Sequence, residues 1–292
     1  MRVRRTLPQR ERSLIGAWCF FDHYGPHRVD TGAGMDVPPH PHTGLQTASW
    51  LFSGEIEHRD SGGVHAMVRP GELNLMTAGA GICHSEVSTA ATTVLHGVQL
   101  WVALPDAHRH AARDVTHFAP PPIELAGARV LVFLGALAGT RSPVPSFTPL
   151  LGAQVDLAPA ATVTFDVDPD FEHGVLVDRG PVDADGCPLQ PGDLSYHAPG
   201  GRKLVLANPG AEPARVLVLG GEPFPDELVM WWNFVARSHD EIVRYRNEWQ
   251  AEADRFGAVA GYPGARLPAP PLPHTTLRPR RNPSPTNREG AQ

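Results

Sequence analysis

The sequence predicts an all-β protein: two antiparallel β-sandwich or barrel domains of one kind, then a single α-helix and a polar tail. Three observations lead there. The apolar runs are short, and each gives way within three residues to Gly, Pro, Ser or Asp, which is the rhythm of sandwiches. Proline and glycine are abundant, 31 and 29 of 292 residues, which favours turns over long helices. The series of runs also occurs twice, on either side of a Pro- and His-containing connection at 105–128.

Taken in order, residues 1–12 are polar and extended, and IGAWCFF at 15–21 reads as a buried strand. Turn residues fill 22–35. Strands follow at 45–52, 56–58, 64–68, 73–76, 82–87 and 93–103, and they resume at 129–137. A second series runs through 151–157, 161–167, 173–177, 193–196, 203–208 and 215–219. This divides the chain into a first domain over 1–137 and a second over 138–237. PGEL at 70–73 and PGDL at 191–194 hold similar places in the two halves, a faint sign of one fold used twice. Ser238 with Glu241 three residues on is a capping-box signature. Ile242, Tyr245, Trp249, Ala253 and Phe256 then recur at helical spacing, and Gly257 supplies a stop. The helix with its caps therefore spans 238–257. Residues 258–292 are rich in Pro, Arg and Ser, and disorder is expected there.

Composition excludes several classes. The net charge of −6 argues against general nucleic-acid binding. No run approaches the length of a membrane span, and the basic first residues lead into no apolar signal segment. Cys19, Cys83 and Cys187 lie far apart without a C-x-x-C, which fits a reducing cytoplasm.

The chemistry concentrates between residues 36 and 86. His40-x-His42 and His84-x-Glu86 are two pairs at i, i+2 spacing. On a strand such pairs point to one face, so two neighbouring strands would converge three imidazoles and a carboxylate. That donor set suits a first-row ion such as Fe(II), with room for a small molecule. Fifteen histidines make chance pairs common, and His108-x-His110 in a loop is read as one of them. The proline-stiffened approach to His40, and the second pair lying 42 residues after His42, favour the metal reading here.

The spacing Gly34-x5-His40-x-His42-x3-Gln46 with Gly54 resembles the first cupin motif, and 71–84 resembles a variant of the second. More specifically, FDHYGP (21–26), PHPHTGLQT (39–47), HRDS (58–61), PGELNLMTAGAGICHSE (70–86), HGVQLWVALP (96–105) and WWNFVAR (231–237) together resemble the pirin family. The resemblance covers roughly 5–256, dense in the first domain and sparse in the second. It implies a bicupin with one iron, Fe(2+), in the N-terminal domain, held by His40, His42, His84 and Glu86. Mn, Ni, Co, Cu or Zn suit the same ligands. The C-terminal domain is expected to hold no metal, since His173 and His197 have no i, i+2 partner. One departure stands out: Gln46 occupies the position where cupins carry Glu.

The family further implies a quercetin 2,3-dioxygenase-type oxidoreductase that opens a flavonol, or a similar aromatic enol, with O2. Glu86 would serve as catalytic base as well as ligand. The partners are then a small aromatic substrate and O2, and a monomer is expected because a bicupin covers its own faces. The alternative is an iron-dependent redox-sensing regulator that binds a protein partner without turnover. An open cavity beside the metal favours the enzyme, and a closed one beside a charged patch favours the regulator. A cupin isomerase or storage protein is the weaker third reading. Three further stretches are read blandly. HRDS lacks the companions of a kinase loop and is taken as a turn after a strand. Cys83 should point away from the metal as a small core residue. Trp231-Trp232 is expected to be buried at an interface.

Overall fold

The structure is a computed structural model that describes residues 1–30, 34–280 and 282. The first half contains β1 (Val3–Leu7), β2 (Trp18–Arg28), β3 (Asp36–His42), β4 (Leu45–Ser53), β5 (Ile56–Asp60), β6 (His65–Val68), β7 (Leu73–Thr77), β8 (Ile82–Ser88), β9 (Val94–Ala103) and β10 (Asp114–Phe118). The second contains β11 (Ile123–Leu125), β12 (Ala128–Leu134), a small hairpin of β13 (Ala136–Leu137) and β14 (Thr140–Arg141), β15 (Leu150–Leu157), β16 (Thr162–Asp166), β17 (Glu172–Arg179), β18 (Val182–Ala184), β19 (Cys187–Leu189), β20 (Leu194–His197), β21 (Lys203–Ala207) and β22 (Ala214–Gly221). A hairpin of β23 (Val229–Trp231) and β24 (Phe234–Ala236) leads into α1 (His239–Gln250).

Each half is a sandwich of a six-stranded and a four-stranded sheet. In the first the orders are β1-β2-β9-β4-β7-β10 and β3-β8-β5-β6; in the second, β11-β12-β15-β22-β17-β20 and β16-β21-β18-β19. Laid side by side, β1-β2-β9-β4-β7 corresponds to β12-β15-β22-β17-β20, and β3-β8-β5-β6 to β16-β21-β18-β19. The fold is used twice, and neither sandwich closes into a barrel. PGEL and PGDL fall at equivalent turns, before β7 and β20, and both glycines have positive φ (Gly71 +74°, Gly192 +88°). The pairing corrects the expected boundary. β11 and β12 belong to the second sandwich, so the chain crosses over at 119–122, not at 137. Strand character was readable at 129–137, but the strand's partner was not.

The two large sheets pack back to back. Trp18, Trp50, Leu75 and Leu100 from the first share a core with Phe133, Leu150, Leu217 and Leu219 from the second. Trp18 Nε1 donates to Leu151 O (3.1 Å) and Gly220 O (3.2 Å), and Trp50 Nε1 donates to Gln154 Oε1 (2.8 Å). Both indoles therefore bury their rings without stranding a donor. Gly16 lies so near the backbone of Gly221 that a Cβ there would sit 2.7 Å from its Cα. The two domains touch main chain to main chain at that point.

Ser238 caps α1 as its sequence predicts, accepting from Glu241 N at 3.3 Å. The Glu241 carboxylate reaches back one residue further, to Arg237 N (2.8 Å). The helix ends at Gln250 rather than 256, and turns carry the chain on so that Phe256 is still buried. The tail departs from the expectation. Within 258–280 the chain packs as an irregular strap. Trp249 Nε1 donates to Leu267 O (2.8 Å), Leu267 N donates to Pro39 O (2.8 Å), and Leu228 and Arg280 exchange backbone hydrogen bonds. Proline-rich chain has less freedom to lose, so a few such contacts suffice to order it. The expectation for 281 and 283–292 lies outside the described residues. Among the described residues, no helix is long and apolar enough to cross a membrane.

Candidate metal centre

The small sheet of the first sandwich builds the site. β3 is its edge strand, the one place where Pro38, Pro39 and Pro41 can sit without breaking a ladder. The register pairs His40 with His84 across β3 and β8, and slips between Val37 and His40, beside the prolines. On the other side of β8, β5 sets His58 opposite Glu86 and Asp60 opposite His84. Alternation then turns His40, His42, His84, Glu86, His58 and Asp60 inward together, and all six are buried.

The structure brings three of the four predicted ligands into one cluster. One donor atom from each of His40, His42 and His84 lies within 4.8 Å of the others, and Nε2 of His42 is 3.1 Å from Nε2 of His84. Glu86 stands outside that set of three. It lines the same cavity, and its Oε1 accepts from Ser49 Oγ at 3.3 Å.

The hydrogen bonds fix which ring nitrogens stay bare. His40 Nδ1 donates to Pro38 O at 2.9 Å, leaving its Nε2 as a lone pair. Asp60 Oδ2 accepts from His58 Nε2 at 3.1 Å, so His58 Nδ1 must accept. It does so from His84 Nδ1 at 3.3 Å, and Nε2 of His84 is left bare. Burial pushes Asp60 up, but hydrogen bonds from His58, Val64 N and Gly62 N outweigh it and hold the carboxyl below the usual range. Burial also drives His40 down to about 4, and His42 and His84 well below the ordinary imidazole value, with each ring's neighbours adding to the effect. At neutral pH the three rings are thus neutral, and His40 and His84 each keep a bare Nε2 in the cluster. Convergent lone pairs are what a cation satisfies, and the donor set fits a divalent transition metal. Burial raises Glu86, against the pull of His58 and Ser49.

A cavity of about 350 Å³ opens over the cluster. Its wall is a stack: Arg5 lies over Phe20 (4.3 Å), Phe20 over Trp101 (4.0 Å between centroids), and Trp101 meets His42 edge-on (5.3 Å). Arg5 is held at the rim by a two-pronged bond to Asp22 (2.9 Å each). Trp232, at φ +52° in the β23–β24 turn, closes another side. Trp231 and Trp232 are half-buried against the α1 cluster rather than buried as expected, and Trp232 serves as a wall of the cavity.

Sequence reasoning missed His58 and Asp60 by reading HRDS as a turn. They sit on β5 and set the tautomer of His84. Their own i, i+2 spacing was the available signal. Gln46 is less consequential than its position suggests. It shares the sheet face of Ala48 and Trp50, away from the cluster, and its amide donates to Thr77 Oγ1 at 2.9 Å. Cys83 points away from the metal cluster, as expected, packing beside α1 and donating to Gly257 O. In the second domain, His173 and His197 are cross-strand partners on β17 and β20, with His197 bonded to Asp185 (3.2 Å) and Ser195 (2.9 Å).

Comparison with known proteins identifies the family. The Pirin family model matches residues 1–102, and the Pirin C-terminal cupin domain model matches 152–257. A Pseudomonas aeruginosa protein named "Putative quercetin 2,3-dioxygenase" is 44% identical over 273 residues, covering 93% of this chain and 86% of the relative. The chain belongs to the pirin family. A pirin-like protein of Caulobacter vibrioides is 35% identical, with 85% and 88% covered. A crystal structure titled quercetin 2,3-dioxygenase, from Acinetobacter baumannii, superposes with a TM-score of 0.90 at 39% identity, covering 95% of this pirin and 92% of that chain.

Proposed function

We propose that this pirin is an iron-dependent dioxygenase of the quercetin 2,3-dioxygenase type, with His40, His42, His84 and Glu86 as its metal ligands. The observation that carries the reading is a cavity walled by Phe20, Trp101 and Trp232 and lined by His40, His42 and Glu86, with His84 clustered on the two histidines. Its volume lies at the small end of ligand sites, in keeping with a flat phenolic substrate. The names of the relatives above support the same substrate class.

When bound, the metal supplies the redox chemistry that lets a flavonol react with O2. The residues do the rest. Phe20 and Trp101 present a stacked face along which a planar ring aligns. Glu86, raised by burial, accepts the proton of the substrate's enol hydroxyl at its carboxylate oxygen. Ser49 Oγ orients that carboxylate. His58 and Asp60 hold His84 in the tautomer that leaves Nε2 bare, the nitrogen that would bind the metal. Trp232 and the Arg5–Asp22 pair narrow the mouth and keep bulk water from the reacting face.

The test is anaerobic loading with Fe(II), then oxygen uptake with quercetin, with His42→Ala in parallel. Stoichiometric uptake with a ring-opened product, lost in the variant, establishes the enzyme. Tight iron binding without uptake moves the assignment to the redox-sensing regulator, and a partner pull-down in the two iron oxidation states follows. A wild-type protein that retains no metal would sink both readings.

A further inference from the structure

Two of the stretches that carry the pirin resemblance, FDHYGP and HGVQLWVALP, each contain a histidine that the metal centre does not use. These are His23 on β2 and His96 on β9. Both face the seam between the domains, where Asp178 of β17 comes across from the other sandwich. We propose that His23, His96 and Asp178 form a second metal site, which takes a divalent cation of the Zn2+ or Ni2+ type and ties the two domains together.

The geometry is compact. Asp178 Oδ1 lies 2.8 Å from His23 Nε2 and 2.7 Å from His96 Nε2, and the two nitrogens are 3.4 Å apart. Donors around a tetrahedral zinc, with bonds of about 2.0–2.1 Å, stand about 3.3 Å apart. The triangle needs to open by only about half an ångström on its two short sides to admit the ion. The imidazoles lie nearly parallel, 17° between planes, with the edge of Phe52 against each. Two of the three strands that meet here are irregular nearby: β2 shifts register between Tyr24 and His27, and β17 between Val177 and Arg179, so Asp178 falls within the shift. Bulges re-aim side chains, and they concentrate beside sites.

Access and charge also fit. A cleft of about 240 Å³ reaches the cluster past Gly25, Pro26 and Gly192, leaving the remaining coordination positions to water. Arg2 and Arg4 line that cleft and oppose a cation, and Arg4 is tied to its wall at Pro191 O (2.8 Å). Arg215 approaches Asp178 only through Oδ2 (3.5 Å) and is tied more closely to Asp156 (2.7 Å). The Oδ1 atom is left to the histidines. Two imidazoles and one carboxylate with open positions make a borderline donor set, the kind that selects zinc or nickel over magnesium or calcium.

The experiment uses the full chain, stripped with chelator and dialysed against Zn2+, with bound metal counted per protein. The expected result is two equivalents for wild type, one for His96→Gln, one for Asp178→Asn and one for His42→Ala. His42→Ala/His96→Gln should bind none. Retention of the His42 equivalent in the first two variants reports that they fold. With Co2+, His42→Ala should show a visible spectrum without thiolate-to-metal charge transfer. Zinc should raise the thermal midpoint of His42→Ala by at least about 3 °C. One equivalent in wild type overturns the proposal, as does a thiolate band that places the ion on Cys187. Two equivalents kept by both Asp178→Asn and His96→Gln also overturn it. Anomalous scattering from wild-type crystals soaked in Zn2+ needs no substitution. A peak between the two Nε2 atoms and Oδ1 supports the site, and its absence there rejects it.

Discussion

Two four-stranded sheets in this protein share one strand order and have opposite interiors. In β3-β8-β5-β6 the inward positions of the first two strands carry His40, His42, His84 and Glu86. In β16-β21-β18-β19 the corresponding strands turn Val163, Phe165, Leu204 and Leu206 inward, paired Val163 with Leu206 and Phe165 with Leu204. One backbone therefore gathers imidazoles and a carboxylate in the first half and hydrocarbon in the second. The fold supplies convergence, and the side chains alone decide what converges.

That contrast can be broken by transplant. Replacing His40→Val and His42→Phe with the second domain's residues should reduce bound iron to below about a tenth of an equivalent while the protein stays folded. Metal analysis beside circular dichroism reads both. The reciprocal lesion is Phe165→Ala, expected to cost about 3–5 kcal/mol in denaturant unfolding with metal stoichiometry untouched. A drop in metal content there would show that the two interiors are coupled.

In titration the two halves are alike, since burial lowers a histidine in each. Burial, with His197 beside it, lowers His173 to about 4 in the folded protein. Unfolding restores the ordinary value near 6.5, so the unfolded chain binds the extra proton between those two values. Stability from this group is complete above about 6.5 and falls as pH drops toward 4, by about 3 kcal/mol in all. Stability curves of the chelator-treated protein should steepen in that window, and His173→Gln should reduce the slope by its own share, leaving that of the buried His40, His42 and His84. Removing the relay with His58→Asn should weaken metal binding by about 10–100-fold, measured by competition with a chelating dye. Smallest of all, Gln46→Glu should change metal affinity by less than about twofold, because Gln46 occupies the far face of its sheet.

Much of this was legible in the sequence because period-2 patterning and i, i+2 pairs are local. The doubled fold, the capped helix, and the convergence of His40, His42 and His84 followed from spacing. What escaped depended on pairing between distant segments. That β12 joins the second sandwich is a matter of its neighbours, not its residues. That His58 bonds His84 requires β5 to lie against β8. His23 and His96 are unremarkable histidines until the second domain supplies Asp178. The strap at 258–280 was hidden for another reason: its composition is that of a free chain, and its order comes from a handful of hydrogen bonds to surfaces made elsewhere.

That strap has a consequence for how the protein comes into being. Leu267 hydrogen-bonds Pro39, and Tyr262 hydrogen-bonds Asp36 (2.8 Å), both on the strand that carries His40 and His42. The histidines are translated early and their brace almost last. On the ribosome, β3 leaves the exit tunnel more than two hundred residues before its outer edge can be covered. A nascent chain can thus gather its three imidazoles well before it can stiffen them. A ribosome stalled short of residue 262 should therefore display the three histidines with the outer edge of β3 still uncovered, and metal counting on such complexes against the released chain checks whether the strap governs retention.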